Sequence, residues 1–187
     1  VCVRVEADVS EGLPVFDMVG VLAAEVKEAK ERVRTALKNC GHRLPAKRIT
    51  INLSPANLRK SGSGFDLPIA IAILVALGEI PPEAVRDTMI MGEVGLNGQI
   101  LPMHGVLAMV ADARACGITK CIVPWQNGKE AAVIPGLTIC PVRELSELVE
   151  ALQTGKIMRE AQLAGTGDTD IVSQEKQPDF AEIHGQK

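Results

Sequence analysis

Aromatic side chains are scarce in this chain: 187 residues include three Phe, one Trp and no Tyr. A core built on stacked rings is excluded. Val, Ile, Leu and Ala must fill it instead, as in an α/β protein with buried strands. No apolar run reaches the roughly 18 residues that a membrane-spanning helix requires, so no membrane partner is expected. No secretory signal is visible, and the chain opens without Met in what reads as mid-strand, so a piece of a longer polypeptide is expected. The five cysteines (Cys2, Cys40, Cys116, Cys121, Cys140) are odd in number and form no C-x-x-C pair. Three lie within apolar patterns, which points to reduced core thiols in a cytoplasmic protein. His42, His104 and His184 are the only histidines, and no zinc site is expected.

Familiar catalytic motifs are missing as well. Gly155-Lys156 lacks the glycine five residues upstream that a P-loop needs, so this chain is not expected to hydrolyse ATP alone. Neither a G-x-S-x-G elbow nor an H-E-x-x-H pair occurs.

What the chain does have is uneven charge. Residues 24–60 hold ten Lys/Arg against three Glu, a local +7, which leaves −10 for the rest of a chain of net charge −3. Such asymmetry points to one face meeting an anionic partner, or to a solvated helix and loop. Arg43, Lys47, Arg48, Arg59 and Lys60 are the candidate contacts to a phosphate backbone.

Those last two open the stretch around which the chain is organised, Arg59-Lys60-Ser61-Gly62-Ser63-Gly64-Phe65-Asp66-Leu67-Pro68, which runs into Ile69–Leu77. Asp66 reads as an N-cap and Pro68 as a first-turn residue. The run IAIAILVAL offers no polar face, so a helix over 66–78 is expected to be buried all round. The loop before it either presents a nucleophile or anion site, or is a compact turn into a core helix. Ser61 and Ser63 are the candidate nucleophiles, and Lys60 beside them, in a loop read as exposed, should stay charged.

Elsewhere, alternation predicts a hairpin of strands Val1–Val9 and Val15–Val19. An amphipathic helix is expected at Ala24–Asn39, with Val26, Ala29, Val33, Leu37 and Cys40 inside and Lys27, Lys30, Arg34 and Lys38 on a second stripe. Strands are expected at Ala46–Leu53, Met89–Val94 and Gln99–Met103, with a type I′ turn at Asn97-Gly98. A helix at Val106–Ala115 and a β-α-β-α tail through Leu152 imply parallel crossovers. Residues 153–177 read as a polar linker, and 178–187 regain apolar character.

Several segments together carry a family resemblance: GLPVFDMVG, VKEAKERVRTALKNCG, PAKRITINLSPANLRKSGSGFDLPIAIAIL and MGEVGLNGQILPMHG…GITKCIVP. They resemble the Mg-chelatase-like AAA+ ATPases of the YifB/ComM type, bacterial competence proteins regarded as branch-migration helicases. The resemblance implies a Lon-protease-like domain at 1–152, a linker at 153–177, and at 178–187 the start of an AAA+ module. The implied fold is α/β (α+β), a mixed sheet packed by helices, shared with a ribosomal small-subunit protein domain. It places Lon's catalytic serine at Gly64 and its lysine at Leu107. Glycine cannot attack and leucine cannot take a proton, so the implied domain is non-catalytic. ATP and Mg would belong to the module beyond this chain. DNA, single-stranded or branched, and further copies of the chain in a hexamer are the implied partners.

Overall fold

The computed structural model describes residues 2–156; the expected linker and AAA+ start lie almost wholly outside them. Strands β1 (Arg4–Ser10), β2 (Val15–Val19) and β4 (Arg48–Ser54) form a first sheet. Its order is β1-β4-β2, with β4 antiparallel to β1 and parallel to β2. The expected β1–β2 hairpin is therefore wrong: β4 sits between the two strands. Between β2 and β4 come the short β3 (Val21–Leu22) and helix α1 (Ala24–Asn39), the crossover that a parallel pair requires. Local alternation defines strands but not their partners, and here the crossover decides the pairing.

One face of this sheet is apolar and the other wet. Phe16, Ile49, Ile51 and Leu53 are buried, and Val5, Ala7 and Val9 of β1 pack against the same core. Arg4, Glu6, Asp8 and Ser10 alternate outward, as in a sheet with one solvated side. The buried stripe of α1 is Val26, Ala29, Val33, Ala36 and Leu37.

Strand β5 (Arg59–Lys60) pairs with β3, and a 3₁₀ turn at Ser63–Phe65 leads into α2 (Asp66–Ala76). Leu67, Ile69, Ile71, Ile73 and Leu74 are at most 1 % exposed. At about 1.5–3 kcal/mol for each fully buried side chain of this size, α2 is the largest single contributor to the core. Burial is not complete, however. Pro68, Ala72 and Val75 are half-buried and Ala76 is exposed, and these positions share one face of the helix.

The second sheet has order β10-β9-β6, from β6 (Thr88–Ile90), β9 (Lys120–Pro124) and β10 (Thr138–Val142), all parallel. Helices α3 (Val106–Ala115) and α4 (Gly128–Ala131) supply the expected crossovers, and α5 (Leu145–Thr154) follows the last strand. β9 is covered on both faces: Ile122 joins the main core, while Cys121 and Val123 join a second cluster with Val106, Val110 and Ala113 of α3.

The expected strand at Met89–Val94 is split into β6 and β7 (Glu93–Val94), and β7 pairs antiparallel with β8 (Ile100–Leu101). Their connection is a turn closed by Gly98 N–H on the Gly95 carbonyl (2.8 Å). A type I′ turn needs positive φ at both central residues; only Gly98 has it, at +87°, so the expected turn type is replaced by a longer bulged loop.

Candidate functional site

The organising loop is pinned from three sides. Gly62, at φ +87°, donates its N–H to the Glu25 carboxylate at 3.1 Å. That bond, with Glu25's own backbone N–H as the larger cause, holds this exposed carboxyl below its ordinary range. The Ser63 hydroxyl donates to a Glu93 carboxylate oxygen on β7. Gly92 then ties the loop to the second sheet: its N–H donates to Gly64 O (3.2 Å), and its carbonyl accepts from Leu67 N–H (3.0 Å).

Beneath the loop lies an ion pair that sequence spacing did not reveal. Asp66 does not cap α2; its side chain is wholly buried and accepts two bonds from Arg32, at 2.7 and 2.9 Å. Val94 N–H adds a third at 3.3 Å, and Arg32 also donates to the Glu25 carbonyl at 2.9 Å. Burial pushes the Asp66 carboxyl above its ordinary value, an effect that the guanidinium partly offsets; the same bonds raise Arg32 further. Glu28, one helical turn before Arg32, is more distant from it, at 3.8 Å. One signal was available: a lone acid at the head of an otherwise apolar helix must find a buried partner.

The partner this arrangement gives Ser63 is a carboxylate, Glu93, and not the lysine of a Lon-type dyad. Among the described residues, neither Ser61 nor Ser63 is bonded to a lysine or histidine. At Gly64 a Cβ would run into the Met103 methyl and sit 3.1 Å from its sulfur, so Met103 occupies the space a serine side chain would enter. Leu107 is 41 % exposed on α3, and its N–H donates to the Glu130 carboxylate at 3.1 Å.

The five candidate phosphate contacts are not brought together. Lys60 is only 1 % exposed, and its ammonium donates to the Pro55 carbonyl. It supports β5 from inside, which corrects its reading as part of an exposed basic loop. Arg59 is exposed at the N-terminal end of α1, beside Glu25. Arg43, Lys47 and Arg48 follow the C-terminal end of α1. There Lys47 pairs with Glu11 at 2.6 Å and Arg48 with Asp17 at 3.0 Å, leaving Arg43 exposed. The two groups are joined along α1 by Lys27, Lys30, Arg34 and Lys38, all exposed and, among the described residues, in no ion pair. Lys27 and Lys30 flank Phe16, Asp17 and Met18 of β2, and Arg34 lies 6.0 Å from the Phe16 ring. This stripe, seen in the helical spacing but not chosen as the site, is the continuous basic feature.

Among known proteins, YifB of Escherichia coli is 37 % identical over 185 residues, 99 % of this chain and 35 % of that protein. The competence protein ComM of Haemophilus influenzae is 38 % identical over 150 residues, 80 % of this chain and 29 % of ComM. The Lon protease of Syntrophomonas wolfei is 29 % identical over 115 residues, 62 % of this chain and 13 % of the protease. The mixed α/β fold agrees with that Lon likeness. The chain thus spans about a third of the length of YifB, and less of the others. Residues 5–127 match the family described as subunit ChlI of Mg-chelatase, and the chain belongs to that family.

Proposed function

We propose that this chain is a non-catalytic Lon-like domain of a longer AAA+ ATPase, offering a basic face to DNA and helping copies assemble into a ring. The observation that carries the reading is the stripe Lys27, Lys30, Arg34 and Lys38 on α1, exposed and in no ion pair among the described residues. The eleven helical steps from Lys27 to Lys38 span about 16 Å, the rise of roughly five nucleotides of a strand. Four cations at that spacing suit a phosphate backbone and carry no base readout. ATP and Mg would be held by the module beyond this chain. On this reading the longer protein acts in DNA branch migration during natural transformation, a role that the likeness to a competence protein supports. Assembly has its own support. Leu13, Val15, Val19 and Val21 are exposed along the β2 edge, at 82, 37, 49 and 51 %, apolar area that contact with a second copy would cover.

Fluorescence anisotropy with single-stranded and branched DNA tests the proposal. Binding is expected at low salt, and neutralising Lys27, Lys30 and Arg34 to Gln should reduce the salt slope for single strands by about 2. No binding at low salt, or a slope unchanged by the triple substitution, would sink the DNA role. A mass measurement on the longer protein, wild type against Val19→Asp/Val21→Asp, reads the assembly role separately.

A further inference from the structure

Trp125 is the single Trp of the chain, and 48 % of it is exposed. It is the first residue after β9, on a 3₁₀ turn (Trp125–Asn127) that runs straight into α4. Asn127, 7 % exposed, pins that turn: its side-chain oxygen accepts from Met103 N–H and its amide donates to Met103 O, both at 2.9 Å. The ring thus stands on a fixed support at the carboxyl end of a parallel strand, the end at which open α/β sheets bind their ligands.

A cation lies against it. The Arg143 guanidinium carbon is 4.0 Å from the centroid of the Trp125 ring. Register brings the two together: Pro124 and Val142 are partners in the β9–β10 ladder, and Trp125 and Arg143 are the next residue of each strand. Arg143 is exposed and, among the described residues, enters no ion pair. The same holds for Lys129, one turn beyond Trp125 on α4. The acids adjacent in sequence are turned elsewhere. Glu130 accepts from Asn127 and from Leu107 N–H. Glu144 follows Arg143 on extended backbone (φ −133°, ψ 145°), so its side chain leaves on the opposite side.

An exposed cation–π pair adds little to stability, so the fold alone does not call for one here. A Trp ring backed by a guanidinium is, however, a surface on which an unpaired nucleobase stacks, and cations beside it meet the flanking phosphates. Bases inside a duplex have both faces taken by their neighbours and cannot use it. Helix α1 is the complement, cations with no aromatic residue among them.

We propose that Trp125 and Arg143 form a stacking platform for an unpaired base of single-stranded DNA, with Arg143 and Lys129 on the adjoining phosphates. The proposal rests on the reading of this chain as a DNA-facing domain. It adds a preference for single strands, which a stripe that meets phosphates alone does not supply.

The test uses the 187-residue chain, in which Tyr is absent and all indole emission comes from Trp125. An oligothymidylate of about twelve nucleotides should quench that emission saturably at low salt. An abasic oligomer of equal length, and a duplex, should bind without quenching it. By anisotropy of a labelled strand, Trp125→Ala should weaken single-strand binding by at least about ten-fold, or 1.4 kcal/mol, with duplex binding and Tm unchanged. Trp125→Phe should restore most of the loss. Single-strand binding by anisotropy with unchanged indole emission would overturn this proposal and leave the α1 reading standing, whereas no binding of any DNA would overturn both. Equal quenching by the abasic oligomer would also overturn it. So would emission that responds to the concentration of the chain but not to DNA, which would assign the pair to a contact between copies.

Discussion

Removing Arg32 should hurt more than removing Asp66, although the two form one ion pair. Asp66 is 0 % exposed at its side chain and Arg32 23 %. In Arg32→Met the carboxylate keeps only Val94 N–H at 3.3 Å, and breaking a buried pair this way costs about 3–5 kcal/mol near neutral pH. In Asp66→Asn the guanidinium still reaches the Glu25 carbonyl and some water, so the cost should be nearer 1–3 kcal/mol. The double variant Arg32→Met/Asp66→Leu removes both charges of the pair and should be more stable than Arg32→Met alone.

The pH dependence follows from the direction of the shift. Asp66 in the folded protein already titrates above its ordinary 3.8, chiefly from burial, and losing Arg32 raises it further. A folded pKa above the unfolded one means the folded state holds more protons between the two values, so stability falls as pH rises through that window. Arg32→Met should therefore regain stability on acidification from pH 7 toward pH 5, at up to about 1.4 kcal/mol per pH unit. Urea denaturation of the four proteins at both pH values, with m-values compared, gives the numbers. The reasoning is refuted if Asp66→Asn costs as much as Arg32→Met, or if the penalty of Arg32→Met does not depend on pH.

Two other outcomes follow from burial. Leu74→Ala, at a site with 0 % exposure, should cost about 2–5 kcal/mol by denaturant titration, whereas Ala76→Ser on the exposed face of α2 should stay within about 0.5 kcal/mol. Thiol labelling at pH 8 should modify Cys116 first, because it alone of the five cysteines is exposed. Burial pushes the Cys121 thiol up to about 11 and raises Cys140 as well, so these two should react only on unfolding. A single rate for all five in the native protein would contradict the burial described.

The elements themselves were legible. The bounds of α1 and α3 fall where the sequence pattern put them, and the β-α-β-α tail is parallel as expected. Those signals are local: side-chain period and turn chemistry act within one or two turns of chain. The β1–β2 hairpin failed because pairing depends on which strand the crossover returns. The candidate site was less legible. Arg59 and Lys60 are adjacent in sequence, yet β5 turns one outward and the other inward, and no charge pattern separates them.

By itself, the sequence determined the Val/Ile/Leu core, the buried central helix and the basic stripe of α1. Each depends on residue type or on spacing along a single element. Tertiary structure alone decided that Arg32 neutralises Asp66 across 34 residues, that Lys60 is a core residue, and that Met103 fills the space beside Gly64. These are relations between distant segments, set by how sheets and helices share one core, and no local periodicity encodes them.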